Sequence, residues 1–491
     1  MRILIVSPEA NPFARTGGLA EVISDLAESL VKSGHETKVV LPLYRQAREA
    51  GVPLSFTGVT FTIPLSLKNL VAEIYRATLP SGVEYLFIGQ DTFFNREGLY
   101  GTAYGDFEDN AERFIFFSRA VVEMIEIMDL ALDICHCQEW QSGLVPVYFR
   151  TLYHERPRLQ RLPVVYTVHN VGYQGIFSAY DLPLTGLGWE LLTPKALEFY
   201  GKINLMKGGL VFADLINTVS SKYREEIMTP EFGFGLEGVF QERAAELVGI
   251  LEGVNYDRWD PRRDPYLTAS YSPDNLEGKK TCKAHLMQHF GLDLPLTRPL
   301  VGMNTRLVER KGIDLVENIL EDMMQLEVGF VLQGTGEERH QYMLQEIAAK
   351  YPGRIGLAIS YSEELAHRLI AGTDLFLMPS RYEPCGLDQL YCLRYGTVPI
   401  VRATGGLDET IQEYNPATGE GNGFKFNGYT PAELLAAVHR ALKLYENPPA
   451  WENLLRKNMA LDFSWDTVTP KYIALYERAI KKRQEALGLR P

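Results

Sequence analysis

The sequence is poor in the features that mark several classes of protein. It contains five cysteines among 491 residues, an odd number that suits a reducing cytoplasm better than a disulfide framework. No stretch approaches the ~20 consecutive apolar residues that a membrane-spanning helix requires. Positive charge is in deficit, because the formal net charge is −13, which argues against nucleic acid or an anionic membrane as the main partner. We therefore expect a cytoplasmic protein, and the opening residues predict a strand rather than a signal peptide.

Short motifs that would identify other common chemistries are also missing. The first predicted strand is not followed by the G-x-G-x-x-G of dinucleotide-binding domains, and the chain has no P-loop. The cysteine–histidine–cysteine run at 135–137 lacks a second pair of residues at metal-ligand spacing, so it predicts buried side chains. These absences argue against a nicotinamide-dependent dehydrogenase and against a metal site at this run.

What the chain does contain is an alternation of apolar, strand-like runs with segments of helical periodicity. The strand-like runs are apolar without strict alternation, as is typical of parallel strands covered on both faces. The predicted strands include residues 2–8, 83–89, 133–137, 164–170, 213–220, 299–305, 329–336, 354–360, 374–380 and 397–402. The chain is too long for one core, and the pattern restarts after a polar, proline-rich stretch at 257–266. We predict two doubly wound α/β domains joined near residues 250–265.

The tetrapeptide TGGL occurs twice, at residues 16–19 and 404–407, each time between an apolar run and a helix-like stretch. Ligands of open α/β sheets bind at the carboxyl ends of the strands. Glycine there lets the backbone approach a ligand, and the following helix directs its N–H groups at an anion. The repeat is therefore consistent with two ligand-binding loops, and also with two structural turns.

The densest polar cluster is PSRYEPCGLDQLYCLRYGTVP at 379–399. Arg381, Glu383, Cys385 and Gly386 follow a predicted strand, and a helix is expected from about Leu387. A carboxylate at the end of a strand, with Gly-Leu opening the next helix, suits a site that binds a polyol beside a phosphate. A structural ion pair between Arg381 and Glu383 is the alternative.

Two further clusters follow predicted strands. Arg306 and Lys311 lie after the strand at 299–305, where two fixed positive charges suit a diphosphate, although two solvated basic residues are the alternative. His169 and Asn170 end the strand at 164–170. A histidine in this position can serve either a hydrogen bond in the core or a function.

A series of ordered blocks along almost the whole chain carries a family resemblance. The blocks are RTGGLAEV (15–22), VVLPLYR (39–45), DNAERFIFFSRAVVE (109–123), VHNVGYQG (168–175), KGGLVFAD (207–214), PEFGFGLEG (230–238), RLVERKG (306–312), QGTGE (333–337), PSRYEPCGL (379–387), VRATGGLDET (401–410) and DFSWD (462–466). In this order they resemble the bacterial glycogen synthase and plant starch synthase family, which are ADP-glucose-dependent glucosyltransferases.

The resemblance implies an α/β protein of the GT-B fold, with two Rossmann-like, doubly wound domains that face each other across a deep cleft. The implied N-terminal domain spans residues 1–252 and lies on the acceptor-glucan side. The implied C-terminal domain spans 253–463 and binds the nucleotide sugar. Residues 464–491 would form a C-terminal helix that crosses back to the N-terminal domain.

The resemblance also implies the reaction. Glucose would pass from ADP-glucose to the non-reducing end of an α-1,4-glucan such as glycogen, with retention at the anomeric carbon. Neither nucleic acid nor a membrane is implied as a partner. No metal or other cofactor is required by this fold, and the chain contains no Asp-x-Asp of the metal-dependent transferases.

The family's functional residues are carried over where this sequence matches its motifs. Glu383 would hold hydroxyls of the transferred glucose, His169 would align the donor, and Arg306 and Lys311 would stabilise charge on the ADP leaving group. The other residues implied to bind ADP-glucose are Arg15, Gly17, Gly18, Asn170, Gly334, Gly336, Tyr361, Cys385, Gly386, Leu387, Thr404 and Gly405. The residues implied on the acceptor side are Glu21, Tyr100 and Glu139. A covalent intermediate needs a carboxylate on the opposite face of the sugar, and no motif supplies one, so we favour front-face departure and attack.

The chain departs from the family's usual residues at several positions. The family usually has Lys at Arg15 and Asp at Glu21. It has Asn or His at Gln138 and Asp at Glu139. It has Asn at Glu252, Asp at Asn255, and Ser or Thr at Asp388. An added methylene can misplace a carboxylate by ~1 Å, and a shift of that size can lower a rate ~100-fold. Asp388 would repel a phosphate that it faced, whereas turned away it would support the start of its helix.

Three functions remain open from the sequence. The leading prediction is a glycogen synthase, because the residues implied as catalytic and both TGGL loops are intact. The second is a retaining transferase of the same fold with an altered donor or acceptor. The third is a non-catalytic glucan-binding homologue.

Overall fold

The computed structural model describes residues 1–102 and 104–489, and the chain divides into two compact units. The first unit comprises Met1–Gly253 together with the segment from Trp465 to the C-terminus, and the second comprises Val254–Ser464. These boundaries differ by one residue from those that the resemblance implies.

The first unit is built on a nine-stranded sheet with the strand order β14-β13-β9-β8-β1-β2-β5-β4-β3. The strands from β14 to β5 are parallel, whereas β3, β4 and β5 pair antiparallel. Strands β10, β12 and β11 form a small separate sheet, and β6 pairs with β7. The strands are β1 (Arg2–Val6), β2 (Glu36–Pro42), β3 (Ser55–Leu65), β4 (Lys68–Thr78), β5 (Glu84–Gly89), β6 (Gly101–Thr102), β7 (Gly105–Asp106), β8 (Ile134–Gln138), β9 (Val164–Val168), β10 (Ile176–Ser178), β11 (Glu198–Phe199), β12 (Lys202–Asn204), β13 (Leu215–Thr218) and β14 (Leu247–Gly249).

The antiparallel hairpin of β3 and β4 was not among the predicted strands. In both strands buried and exposed residues largely alternate, because one face packs on the unit and the other meets solvent. Such alternation is the usual pattern of an antiparallel strand at the edge of a sheet. The search for continuous apolar runs therefore missed it.

Helices cover the parallel strands of the first unit. They are α1 (Leu19–Lys32), α2 (Arg45–Glu49), α3 (Asp91–Phe94), α4 (Asn110–Ile127), α5 (Leu144–Arg150), α6 (Pro157–Arg161), α7 (Leu182–Thr185), α8 (Leu205–Phe212), α9 (Ser221–Glu226) and α10 (Glu237–Glu242). The C-terminal helix Trp465–Ala486 also packs here, since the Thr469 hydroxyl lies 2.6 Å from that of Ser29 on α1. No helix in the described part of the chain is both long and apolar enough to cross a membrane.

The second unit has a six-stranded, wholly parallel sheet with the order β17-β16-β15-β18-β19-β20. Its strands are β15 (Leu300–Asn304), β16 (Gly329–Gln333), β17 (Ile355–Ala358), β18 (Leu375–Met378), β19 (Val398–Arg402) and β20 (Phe424–Phe426). Its helices are α11 (Glu277–His289), α12 (Ile313–Met324), α13 (Glu338–Lys350), α14 (Glu363–Gly372), α15 (Asp388–Arg394), α16 (Gly405–Thr410), α17 (Pro431–Tyr445) and α18 (Pro448–Met459). The central strands are buried along most of their length, as predicted for a doubly wound sheet.

The polar stretch at 257–266 belongs to the second unit, and the division between the units falls at Gly253 and Val254, inside the predicted range of 250–265. The Trp259 ring stacks between the rings of His367 and Tyr391, with centroids 3.6 Å and 3.8 Å away. The Asp264 carboxylate lies 2.7 Å from Nδ1 of His367. These contacts bury Trp259 and Asp264 inside the second unit, whereas Asp257, Arg262 and Arg263 of the same stretch are exposed.

Candidate active site

The polar clusters of the second unit follow parallel strands, so they lie at one edge of its sheet. Residues 305–312 follow β15, residues 334–337 follow β16, residues 379–387 follow β18, and residues 403–404 follow β19. The residues of the second unit that the resemblance assigns to the donor are in these loops, apart from two: Gly405, which begins α16, and Tyr361, which follows β17 at the same edge.

Lys311 and Glu383 form the central ion pair of this edge. The Lys311 Nζ lies 2.5 Å from Oε2 of Glu383, and the Ser380 hydroxyl donates to the same oxygen at 2.9 Å. Burial raises the pKa of the Glu383 carboxyl, but the charges of Lys311 and Arg310 and these hydrogen bonds lower it more, so the pKa lies below its ordinary value. The site therefore holds a buried carboxylate beside a cation.

The alternative of an ion pair between Arg381 and Glu383 is wrong. The Arg381 guanidinium binds the Glu309 carboxylate at 2.7 Å and lies over the ring of Tyr429. This leaves the Glu383 carboxylate to Lys311.

Backbone contacts hold the Lys311 and Glu383 loops against each other. The N–H of Arg381 donates to the carbonyl of Arg310 at 2.9 Å. Gly312 has φ of +76°, and a Cβ there would lie 2.1 Å from the Pro379 carbonyl oxygen. Glycine is therefore needed at 312 for both its conformation and its close approach to the neighbouring loop.

The second TGGL loop packs on the Glu383 loop from the other side. Thr404 precedes the first turn of α16 and is buried. A Cβ on Gly405, whose φ is +47°, would lie 2.0 Å from the Glu383 carbonyl oxygen. The N–H of Gly406 donates to that same carbonyl at 3.2 Å.

Gly334 and Gly336 pack on the loop that carries Arg306. A Cβ on Gly334 would lie 2.0 Å from the carbonyl oxygen of Thr305, and one on Gly336 would lie 2.2 Å from that of Leu307. Close packing against these carbonyl oxygens therefore explains why glycine is present at both positions. The approach of these glycines to a nucleotide stays a prediction.

The remaining predicted donor residues of the second unit differ in exposure. Arg306 is exposed, and Tyr361 is 55% exposed. Cys385 is buried and forms no disulfide, and Gly386 has φ of +74°. Leu387 is the residue before the first turn of α15, so the helix starts one residue later than predicted.

The Asp388 carboxylate faces the end of β15. Its Oδ2 accepts a hydrogen bond from the Asn304 amide at 3.5 Å, and the Gln333 amide in turn donates to Oδ1 of Asn304 at 3.1 Å. Asp388 also occupies the first turn of α15, where a negative charge stabilises a helix. The departure from Ser or Thr is thus accommodated within the unit.

In the first unit, His169 follows β9 and is held on both ring nitrogens. Its Nδ1 lies 3.0 Å from Oε1 of Glu252, and its Nε2 lies 2.9 Å from Oε1 of Gln138. Burial lowers the pKa of the ring, but the hydrogen bond and charge of Glu252, with the charges of Glu139 and Glu9, raise it more. The pKa of His169 therefore lies above its ordinary value of 6.5.

Glu139 is turned into the protein at the end of β8. Its backbone has φ of +59°, and its Oε1 accepts the N–H groups of His169 and Asn170 at 2.6 Å and 3.1 Å. Burial raises the pKa of this carboxyl to about 7, against the opposing charge of His169. Glu139 thus holds the backbone that carries His169 and Asn170.

The first TGGL loop is tied down by Glu9, which follows β1. Both carboxylate oxygens of Glu9 accept from Thr16, one from its N–H at 2.7 Å and one from its hydroxyl at 2.6 Å. The Tyr100 hydroxyl donates to Glu9 at 2.8 Å. Arg15 and Glu21, both departures from the family, form an ion pair at 2.9 Å. Gly17 and Gly18 lie in this loop, directly before α1.

Among residues 1–102 and 104–489, no group of three or more His, Cys, Asp or Glu side chains is arranged to hold a metal ion. The run at 135–137 lies in β8 and is buried. The His136 ring contacts the hydroxyls of Tyr476 and Thr167 at 2.9 Å and 2.6 Å. Burial and the charge of His169 lower the pKa of His136 to about 3, so it stays neutral in the core.

Several polar residues of these strand ends were not singled out from the sequence. They are Glu9, Ser380 and Arg310, together with the pairing of Gln138 and Glu252 with His169. Each of these side chains lies within a few residues of the carboxyl end of a strand. The same criterion predicted the polar residues of the signature loops, and it would also have found these.

Comparison with known proteins extends over nearly the whole chain. Residues 2–242 match the starch synthase catalytic domain family, and residues 287–457 match the group 1 glycosyl transferases. A glycogen synthase of Koribacter versatilis is 44% identical over 98% of this chain and 99% of its own length. A glycogen synthase of Moorella thermoacetica is 41% identical over 99% of this chain and 98% of its own.

Comparison with solved structures gives the same family. The catalytic domain of starch synthase IV from Arabidopsis thaliana, bound to ADP and acarbose, matches with a TM-score of 0.90 and 31% identity. That match covers 98% of this chain and 99% of the other. Sucrose-phosphate synthase from Thermosynechococcus elongatus, at 16% identity and a TM-score of 0.61, shares the fold.

The two parallel-sheet units and the polar loops at their strand ends are those of a glycosyltransferase with the GT-B fold, which confirms the predicted fold class. Within that class, the chain belongs to the glycogen synthase and starch synthase family, and its function is that of a glycogen synthase. The family resemblance is therefore confirmed.

Proposed function

We propose that this chain uses ADP-glucose as donor, lengthens an α-1,4-glucan at its non-reducing end, and retains the anomeric configuration. The observation that carries this proposal is the Lys311–Glu383 pair, 2.5 Å apart at the carboxyl edge of the second unit's sheet. The starch synthase IV structure, in which ADP and acarbose are bound, supports a nucleotide and a glucan as the two kinds of ligand.

The proposed chemistry uses charge that is already in place. Cleavage of the bond between glucose and the diphosphate places negative charge on ADP, and Lys311 stabilises that charge together with the exposed guanidinium of Arg306. The buried Glu383 carboxylate accepts hydrogen bonds from glucose hydroxyls and offsets positive charge on the sugar ring. The acceptor oxygen attacks from the face that ADP leaves, and its proton passes to the departing phosphate.

Residues of the first unit have proposed roles on the same substrates. His169 and Asn170 align the donor, and Gly17 and Gly18 contact it through the backbone. Glu21 and Tyr100 serve the acceptor side. Glu139, which was predicted to contact the acceptor, would instead act indirectly, because its Oε1 is bound to two backbone N–H groups.

We further propose that the reaction needs no metal ion, because two cationic side chains can neutralise the diphosphate. The five cysteines, all in the described part of the chain, are buried and form no disulfide, which supports a reducing compartment such as the cytoplasm. Addition of EDTA to a metal-stripped preparation is expected to leave the rate unchanged, and a requirement for added Mg²⁺ would contradict metal independence.

The donor is tested with purified protein, glycogen and ADP-[¹⁴C]glucose or UDP-[¹⁴C]glucose in parallel. We expect label in polymer from ADP-glucose and much less from UDP-glucose. Release of that label by an α-1,4-specific amylase would establish both the linkage and retention. Incorporation from UDP-glucose alone would indicate an altered donor, and no incorporation from either would refute the proposal.

The role of Arg306 is tested by Arg306→Ala. Because this side chain is exposed, we expect unchanged thermal stability and a fall in kcat/KM of about 100-fold or more. Arg339→Ala, which removes an arginine of comparable exposure from α13, is the matched control and should keep the wild-type rate. Equal rates for both variants would exclude Arg306 from the donor site.

A further inference from the structure

His169 is enclosed by oxygen atoms on both edges of its ring. The Glu252 carboxylate meets Nδ1 at 3.0 Å, and the Gln138 side-chain oxygen meets Nε2 at 2.9 Å. Both oxygens accept hydrogen bonds, so this arrangement is satisfied when both ring nitrogens carry a proton. The His169 and Glu252 side chains are 12% and 9% exposed, so the pair is largely shielded from water.

Glu252 is one of the residues at which this chain departs from its family, which usually has Asn there. An asparagine amide is shorter and carries no charge, so it cannot form an ion pair with an imidazolium. Gln138, the other partner of the ring, is also a departure. Both changes therefore bear on the same histidine, although 114 positions separate them in the sequence.

The charged groups around the ring come from several elements. Glu252 follows β14, Glu139 follows β8 and Glu9 follows β1, and all three carboxylates favour the charged imidazole. His136 on β8 is the nearby basic side chain, and it is neutral because burial holds its pKa at about 3. The acids thus outnumber the cations around His169.

We propose that Glu252 is a positioning residue for the transferase reaction: its carboxylate accepts a hydrogen bond from Nδ1–H of His169 and fixes the plane of the ring. This inference rests on the proposed role of His169 at the donor. With Nδ1 committed to Glu252 and Nε2 to Gln138, the orientation of the ring is set before substrate arrives. A substrate therefore meets a ring whose orientation does not change.

The stability that the His169–Glu252 pair contributes depends on pH in a defined direction. Since Glu252 raises the pKa of His169, the stability that the pair contributes is fully present below the ordinary pKa of histidine. That contribution is lost as the pH rises through the higher pKa of the folded protein. The transferase rate should decline over the same pH range, because the ring loses its charge-assisted bond to Glu252.

The experiment compares the wild type with Glu252→Gln, which removes the charge and keeps the length, and with Glu252→Asn, which restores the usual family residue. Glu317→Gln is the matched control. It removes a carboxylate from a second buried pair, in which Oε1 of Glu317 lies 2.8 Å from Nδ1 of His340 in the other unit. Thermal melting of each variant shows whether it is folded.

The first readout is the titration of His169 in the free full-length protein, followed by NMR of ¹³C-labelled histidine rings. His169→Gln identifies the signal. We expect a lower titration midpoint for His169 in both Glu252 variants and no change in Glu317→Gln. An unchanged midpoint in Glu252→Gln would overturn the pairing, and this result does not depend on which donor the protein uses.

The second readout is kcat and KM against pH with ADP-glucose and glycogen. For Glu252→Gln we expect kcat to fall by about 10-fold to 100-fold at neutral pH and the alkaline limb to move to lower pH, with KM for the donor nearly unchanged. Glu317→Gln should keep the wild-type profile. A wild-type profile in Glu252→Gln would overturn the positioning role, whereas an inactive wild type would instead refute the proposed function.

Discussion

The two TGGL loops have the same four residues and opposite surroundings. At residues 404–407 the loop is buried, and a Cβ on its first glycine, Gly405, would lie 2.0 Å from the Glu383 carbonyl oxygen. At residues 16–19 the loop is at the surface, and a Cβ on Gly17 would meet nothing within 4 Å. The second loop needs glycine to fit its neighbours, whereas the first has glycine beside open space.

This difference separates two reasons for a glycine that the sequence cannot tell apart. In the second unit the backbone of one loop lies on the backbone of the next, so the glycines hold Glu383 in place. In the first unit the loop is held by side chains instead, through Glu9, and the space above Gly17 is open. One loop is part of the scaffold, and the other has room beside it, where we predict a ligand.

The largest effect is expected for Gly405→Ala. The new Cβ would meet the Glu383 carbonyl oxygen, and alanine is strained at φ of +47°, so we expect a loss of about 3 kcal/mol or more of unfolding free energy. Urea denaturation measures it. Gly419→Ala is the control, because Gly419 also has positive φ, +69°, but open space around its Cβ position. Equal losses in both variants would show that strain rather than packing governs residue 405.

Glu383→Gln should have the next largest effect. It leaves the Lys311 ammonium without its carboxylate, and we expect a loss of about 2 kcal/mol of stability together with near-complete loss of transferase activity. The stability difference has a known sign with pH, since the pKa of Glu383 is depressed by folding. It should be fully present above the ordinary value of 4.5 and disappear as the pH falls through the lower pKa of the folded protein.

Urea denaturation of the wild type and Glu383→Gln between pH 7 and acid pH measures this difference. A stability gap that widens as the pH falls would contradict the ion pair as its source.

A smaller effect is expected when the first loop is loosened by Glu9→Gln. The amide oxygen can still accept from the hydroxyls of Thr16 and Tyr100, but the NH₂ group that replaces the other oxygen cannot accept from the Thr16 N–H, so we expect a loss of about 1 to 2 kcal/mol. Thermal melting against Glu49→Gln, which changes an exposed glutamate on α2, measures it. Identical melting temperatures for the two variants would show that Glu9 does not hold the loop.

The smallest effect on stability is expected for Gly17→Ala. Because its Cβ position is open, the unfolding free energy should stay within about 0.5 kcal/mol of the wild type. If the open space receives ADP-glucose, KM for the donor should rise by about 10-fold. An unchanged KM would show that this loop does not contact the donor, and it would contradict a ligand-binding role for the first TGGL loop.

The sequence was sufficient for most of the parallel strands and for the loops at their ends, because buried apolar runs followed by Gly, Arg and Glu are a local signal. The three-residue strands β14 and β20 were not predicted. The sequence was insufficient for pairings between distant residues. The Nδ1 of His169 meets Glu252 across 83 positions, and the Glu383 carbonyl that excludes a side chain at Gly405 belongs to another loop. The hairpin of β3 and β4 was missed because its one-sided burial gives no continuous apolar run.

The tight seating of glycines 312, 334, 336 and 405 on neighbouring carbonyl groups has a consequence for protein engineering. A single loop transplanted from another transferase would have to match the backbone of its neighbours atom for atom, so grafts of one loop should misfold the edge of the sheet. Exposed side chains such as that of Tyr361 can instead be exchanged while these glycines are kept.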